Sequence, residues 1–234
     1  MVPPSSFVLL DDARAPDGGA ADALFYSAPR EVFAAYHPDE VAPALAAADA
    51  ARIAAGSEAA ELAGYIAYEA GLALEPRLAP LAEARSGAMG PLVWLGLFDA
   101  PERIAAEDVP AWLAARAQGT ASLGPLEPQL SPAGYEEAFA ALIEKIEAGD
   151  IYQANLTYPL TGSYRGDPVA LYAAMRDAAS AGYGGLVYDG SHWLLSFSPE
   201  LFVALDEDGK AKAKPMKGTR PRSDDPAADK ALAE

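Results

Sequence analysis

Asp189-Gly190 stands between two apolar runs, Leu186-Val187-Tyr188 and His192-Trp193-Leu194-Leu195-Ser196-Phe197. An Asp-Gly pair between two such runs is a strong short-range signal for a β-hairpin, because the favoured tight turns need positive φ. A second pair of runs, 201–205 and 210–214, flanks Asp206-Glu207-Asp208-Gly209 and predicts a second hairpin. Hairpins impose antiparallel pairing, which excludes a wholly parallel, doubly wound sheet. Further strands are predicted at Phe7-Val8-Leu9-Leu10, Leu24-Phe25-Tyr26, Val32–Tyr36, Ala63–Tyr68, Leu92–Phe98 and Ile151–Leu160.

Helices interrupt these strands. An alanine-rich segment follows Pro38 and stops at Gly56. A clearer helix opens at Ser131-Pro132, a good N-cap followed by a residue suited to the first turn. In it Tyr135, Phe139, Leu142, Ile143 and Ile146 share one face, and Gly149 supplies the stop. Another runs from Asp167-Pro168 to about Ser180. Residues 69–90 read as irregular, and 119–129 as a Gly- and Pro-containing connection. Antiparallel strands mixed with helices define an α+β class. Asp225-Pro226 opens a last helical stretch with no stop signal before Glu234, so the sequence is expected to break off inside a domain.

Composition narrows the function classes. The 234 residues carry a formal net charge of −17 and no cysteine. Nucleic-acid binding is not expected from so acidic a chain, because phosphate contacts need clustered Lys and Arg. No thiolate nucleophile, disulfide or Cys-ligated metal is available. No apolar run approaches a membrane span, and the N-terminus lacks a basic leader, so no membrane partner and a cytoplasmic location are expected.

The basic residues are concentrated. Six of the 17 Lys and Arg lie between 210 and 222, with no acid among them. Lys210, Lys212 and Lys214 have the period of an exposed strand face and read as solvated. The run Pro215-Met216-Lys217-Gly218-Thr219-Arg220-Pro221-Arg222 differs. Pro215 ends a strand, Gly218 permits close approach of a ligand, and the arginines offer planar forks for carboxylates. Lys217, between a strand end and a glycine, is a candidate amine nucleophile, although Lys-Gly-Thr is also an ordinary polar turn. Glu200, in Ser198-Pro199-Glu200 after an apolar strand, is a candidate general acid–base, with a rim carboxylate as the alternative. His37 and His192 are far apart in sequence and read as structural. Asp11-Asp12 and Glu136-Glu137 read as solvated turn or helix acids.

Taken together, three ordered stretches resemble the chorismate-utilising enzymes, the family of the anthranilate synthase and aminodeoxychorismate synthase large subunits. They are Ile146–Thr157, with Gly149-Asp150-Ile151-Tyr152-Gln153; Ser196–Phe202, with Ser-Pro-Glu; and Pro215–Arg222. Ala63–Glu69 is a looser match. Lys217 before Gly-Thr, and Tyr152-Gln153-Ala154-Asn155-Leu156, resemble the aminodeoxychorismate branch more than the anthranilate branch, which has Ala before Gly-Thr.

The resemblance implies an α+β fold with antiparallel sheets packed together and helices outside. It implies residues 1–118 as an N-terminal α/β region and 131–234 as the start of a chorismate-binding region. It further implies that Lys217 attacks C2 of chorismate, Glu200 protonates the departing C4 hydroxyl, ammonia adds at C4, and Gly218 and Thr219 touch the substrate. To attack, the lysine must be neutral, so its pKa must fall below the usual ~10.4, as burial and neighbouring arginines would make it do. A glutamine amidotransferase subunit is implied as the source of ammonia. Mg²⁺ is implied as cofactor, with ligands beyond Glu234.

The family's tryptophan-sensing runs are only partly matched, by Leu9-Leu10-Asp11-Asp12 and by Ala179–Tyr183, so tryptophan inhibition is not expected. The alternatives are another chorismate-utilising activity, such as anthranilate or isochorismate synthase, and a non-catalytic amino-acid-binding or scaffold module.

Overall fold

The computed structural model describes residues 5–14, 19–56, 60–85, 90–206, 208–215, and residues 223, 225, 227 and 229. Its elements follow in chain order. β1 (Phe7–Asp11), β2 (Ala23–Ser27) and β3 (Glu31–Ala35) precede α1 (Pro38–Ala55). Then come β4 (Glu61–Ile66), α2 (Ala70–Leu74), α3 (Ala79–Arg85), β5 (Val93–Phe98), β6 (Glu102–Ile104) and α4 (Val109–Arg116). Next are β7 (Ala121–Leu123), β8 (Glu127–Pro128), α5 (Pro132–Glu147), β9 (Leu160–Thr161), β10 (Tyr164–Gly166) and α6 (Pro168–Ala179). Last are β11 (Tyr183–Tyr188), β12 (Trp193–Ser198), β13 (Ala204–Leu205) and β14 (Ala211–Lys212). The class is α+β, with every paired strand antiparallel.

Two compact units result, one from residues 1–112 and 175–234, the other from 113–174. The sequence-based boundary between 118 and 131 falls inside the second unit, and residues after 174 return to the first.

The first unit is layered. Its five-stranded sheet has the order β12-β11-β1-β2-β6, and its three-stranded sheet the order β3-β5-β4. Val8, Tyr26 and Val187 from the larger sheet meet Ala63, Trp94 and Phe98 from the smaller in one buried cluster. Two polar links cross the same layer: the Tyr26 hydroxyl donates to Glu61 at 2.6 Å, and the Tyr65 hydroxyl to Asp189 at 2.8 Å. The other face of the small sheet packs against α1, where Val41 joins Ala35, Ala70, Leu92 and Val93, and Ala48 joins Phe33, Ala60 and Leu97. The α1 alanines that face the sheet, Ala44, Ala48, Ala51 and Ala55, let the helix lie close to it, whereas Ala42, Ala46, Ala47, Ala50 and Ala54 are exposed. Glu40 accepts from the backbone N–H of Tyr36 and His37, which ties down the helix start, and the Gly56 N–H closes on the Ile53 carbonyl. Gly64 has φ of 155°, and a Cβ there would lie 2.1 Å from the Trp94 carbonyl oxygen, so only glycine fits that crossing of β4 and β5.

In the second unit α5 forms as expected, with Ser131 Oγ accepting from the Gly134 N–H at 3.1 Å. No residue of α5 is buried, however, and Phe139 is half exposed. The amphipathic pattern predicts a packed face, but a unit this small has little apolar surface with which to cover it. Tyr135 stacks on Phe139 and meets Tyr158 edge-on.

Three local expectations are corrected. Residues 69–90 hold two short helices rather than irregular chain. The strand expected at Ile151–Leu160 is confined to its last residue: Asp150 and Ile151 fold back onto the Lys145 carbonyl, and Pro159 cannot donate to a ladder. β4 lies at 61–66 rather than 63–68, because Tyr68 and Glu69 turn into α2. Of the last helical stretch, Ala227 and Asp229 are described as helical, and the Asp225 carboxylate accepts from the Ala227 N–H at 2.9 Å.

A buried ion pair fixes β1. Arg176 on α6 donates from Nε to Asp11 Oδ2 at 2.7 Å and from Nη2 to Oδ1 at 2.9 Å, and Nη2 also reaches the Asp12 carbonyl at 3.2 Å. The expectation of a solvated acid pair therefore fails, since Asp11 and Asp12 are each 5% exposed. Arg176→Met, which removes the guanidinium from the buried Asp11 carboxylate, should cost about 3–5 kcal/mol in urea unfolding. The double variant with Asp11→Leu should recover most of that loss. Equal losses in the single and double variants would show that the pair is not the source of the effect.

Candidate functional site

β12 runs antiparallel to β11 in a register that places Ser198 opposite Tyr183, at the end of the large sheet. The chain then turns. Ser198 Oγ donates to the Glu200 carbonyl at 3.1 Å and accepts from the Glu200 N–H at 3.3 Å. This serine-closed turn, with Pro199 in the middle, fixes the half-buried Glu200 immediately past the strand. The expected carboxyl position at a sheet end is thus present.

The backbone beyond Glu200 forms the small hairpin β13–β14, with Ala204 opposite Lys212 and Leu205 opposite Ala211. At its open end the Lys214 N–H reaches the Leu201 carbonyl at 3.5 Å. Glu200 and the start of the Pro215–Arg222 run therefore lie at the same end of that hairpin. Lys210, Lys212 and Lys214 are exposed, as are Ala211 and Ala213, so the hairpin is solvated on both faces. Lys217, Gly218 and Thr219 lie outside the described residues.

Both histidines have structural partners. His37 stands at the start of α1, as described. The His192 N–H donates to Asp189 Oδ1 at 2.7 Å, while its Nδ1 lies 3.1 Å from Oδ2. Asp189 also accepts from the Ser191 N–H and the Tyr65 hydroxyl. Burial opposes the Asp189 charge, but these hydrogen bonds, that from the His192 backbone foremost, hold its carboxyl below the usual range. For Tyr65 burial and the facing Asp189 raise the phenol. Glu136 and Glu137 are exposed, as expected.

Sequence reading missed one electrostatic feature. Asp12 accepts from Arg14 through Nε at 2.8 Å, through Nη2, and through the backbone N–H at 3.2 Å, and also from the Ala21 N–H at 3.0 Å. The Arg14 guanidinium lowers its pKa to about 2, burial opposing. Leu9–Asp12 and Ala179–Tyr183 are brought together here: Asp11 pairs with Gly184, and the Ala13 N–H donates to the Ala181 carbonyl at 2.9 Å.

Among the described residues no three His, Asp or Glu side chains converge as metal ligands, and no helix is long and apolar enough to cross a membrane.

Residues 6–234 match the model of a family described as chorismate binding enzyme. An aminodeoxychorismate synthase of Streptomyces griseus is 35% identical over 109 residues, 47% of this chain and 15% of its own. An aminodeoxychorismate synthase component 1 of Salmonella typhimurium is 36% identical over 102 residues, 43% of this chain and 22% of its own. An anthranilate synthase component 1 of Thermus thermophilus is 38% identical over 100 residues, 43% and 21% of the two chains. The matched stretches thus span under a quarter of each relative's length.

The depressed Asp12 carboxyl has a consequence in acid. Stabilisation from a carboxylate with a lowered folded-state pKa is present above its unfolded value of 3.8 and is lost as the pH falls through about 2. Urea midpoints should therefore fall between about pH 4 and pH 2, and less steeply in Asp12→Asn than in the wild type. Equal slopes for the two proteins would refute the assignment.

Proposed function

This chain belongs to the chorismate-binding enzyme family, and from that premise we propose that it is part of an aminodeoxychorismate synthase, which exchanges the C4 hydroxyl of chorismate for an amino group. The observation that carries the reading is Glu200, held past a strand end beside the start of the basic run that contains Lys217. Lys217 before Gly218-Thr219 supports the aminodeoxychorismate branch, as does the similarity to several aminodeoxychorismate synthases. Other relatives are anthranilate synthase components at similar identity, so the product itself is the test.

In this reading the neutral amine of Lys217 forms a bond to C2 of chorismate. Both ring double bonds shift, from C1–C2 to C1–C6 and from C5–C6 to C4–C5, and the C4 oxygen leaves as water after taking a proton from Glu200. Ammonia then adds at C4, Glu200 accepts a proton, and the reverse shift breaks the Lys217–C2 bond. The sum is chorismate plus ammonia giving 4-amino-4-deoxychorismate plus water. The backbone N–H of Gly218 and the Thr219 hydroxyl would hold the substrate. A separate glutaminase would supply ammonia, a division that the "component 1" names of the relatives support. Mg²⁺ belongs to the same proposal, with ligands outside these 234 residues, and no step above runs through it.

Chorismate, Mg²⁺ and ammonia supplied to the whole protein should yield aminodeoxychorismate, a precursor of p-aminobenzoate and folate. Anthranilate or isochorismate as product would overturn the branch. Glu200→Gln should lower kcat by about 10²–10⁴-fold, the usual worth of a positioned acid–base. Lys217→Ala should abolish turnover, and mass spectrometry of the active protein should trap an adduct on Lys217. Full activity in Lys217→Ala would favour a non-catalytic module.

A further inference from the structure

Ser198 stands at the last position of β12, and its hydroxyl serves both polar groups of the Glu200 main chain. It accepts from the Glu200 N–H at 3.3 Å and gives its own proton to the Glu200 carbonyl at 3.1 Å. A hydroxyl carries one proton and two lone pairs, so it can do both at once, which an apolar or purely accepting side chain cannot. The residue between them adds no donor, since Pro199 has no N–H. Proline also disfavours helical backbone at the residue before it, so Ser198 continues the extended line of β12 up to the turn. Beyond Glu200, the Leu201 carbonyl accepts from the Lys214 N–H at 3.5 Å, longer than an ordinary backbone hydrogen bond. The direction of the Glu200 Cα–Cβ bond is therefore set by the strand behind it and by this hydroxyl.

We propose that Ser198 is a positioning residue for the amination, acting through Glu200; this rests on the acid–base assignment of Glu200 made above. That reaction uses the carboxyl twice in opposite senses. It first gives a proton to the departing C4 oxygen and then accepts one from the nitrogen that replaces it. Both transfers take place at C4, so the carboxyl has to occupy one position for both. Proton transfer needs heavy atoms about 2.6–3.2 Å apart, and a misplacement of about 1 Å can cost on the order of 100-fold in rate. A turn closed by a serine holds the main chain of the acid–base residue against that loss.

The test uses the whole protein with chorismate, Mg²⁺ and ammonia. Ser198→Ala should lower kcat by about 10–100-fold, while KM for chorismate changes by less than about threefold. Ser198→Thr, which keeps the hydroxyl, should stay within about fivefold of the wild-type kcat. In a Glu200→Gln background, Ser198→Ala should lower kcat by less than about twofold further, because a residue acting only through Glu200 has nothing left to position. An unchanged kcat in Ser198→Ala, an equal loss in Ser198→Thr, or a full further loss in the Glu200→Gln background would each overturn the proposal. Wild-type turnover in Glu200→Gln would overturn the acid–base assignment, and this proposal with it. Lost turnover in Glu200→Gln beside full turnover in Ser198→Ala would overturn this proposal alone. Should Ser198→Ala not fold, Ser198→Thr against Ser198→Val decides by the same comparison, because the two share a shape and only threonine has the hydroxyl.

Discussion

The ion pair between Asp11 and Arg176 is the constraint on which the large sheet depends. Its partners are 165 residues apart, yet both oxygens of the carboxylate are met by one guanidinium. The side chains are 1% and 8% exposed, so each charge has lost its water and needs the other. The pair joins the end of β1 to α6, the helix that leads into β11. β1 is a central strand, between β11 and β2, although it is the first of the described elements. A one-residue slip of β1 would turn Val8 out of the inter-sheet core and put Asp11 out of reach of Arg176, so the apolar pattern and the ion pair enforce the same register.

Much of this was legible where the signals are local. The Asp189-Gly190 hairpin, the Ser131 cap and the Gly56 stop each need only a few neighbouring residues, and each forms as read. What was illegible depends on distant partners. The run 151–160 alternates like a strand, but alternation makes a strand only when a partner offers its backbone, and only Leu160 finds one. α2 and α3 lack caps readable in sequence and form where tertiary packing buries Ala70 and Leu72. The apolar stripe of α5 was read correctly as a helix face, while its exposure depends on how little surface the rest of its unit offers.

The site divides in the same way. Ser198-Pro199-Glu200 is a local turn, and the hydrogen bonds of the serine hydroxyl to the N–H and carbonyl of Glu200 hold that residue just past the strand. Asp11-Asp12 looked like a turn because two adjacent acids usually seek water. Nothing nearby in sequence announces Arg176, and Arg14 two residues on looks like a solvated neighbour. The signal available was the pattern Asp-x-Arg beside an apolar strand, which gains meaning only once Gly182 is known to leave space for the guanidinium.

These features converge on one end of one sheet. Asp11 closes β1 opposite Gly184, Tyr183 opens β11 opposite Ser198, and Glu200 follows Ser198 by two residues. The position of the proposed acid–base is therefore inherited through two strand registers from the buried pair at the end of β1. Its placement rests on the backbone of β12 and the serine-closed turn. Asp11, Asp12 and Asp189, by contrast, each accept several hydrogen bonds that hold the sheet. The carboxylates with several donors thus build the frame, while Glu200 is fixed through the backbone of its turn.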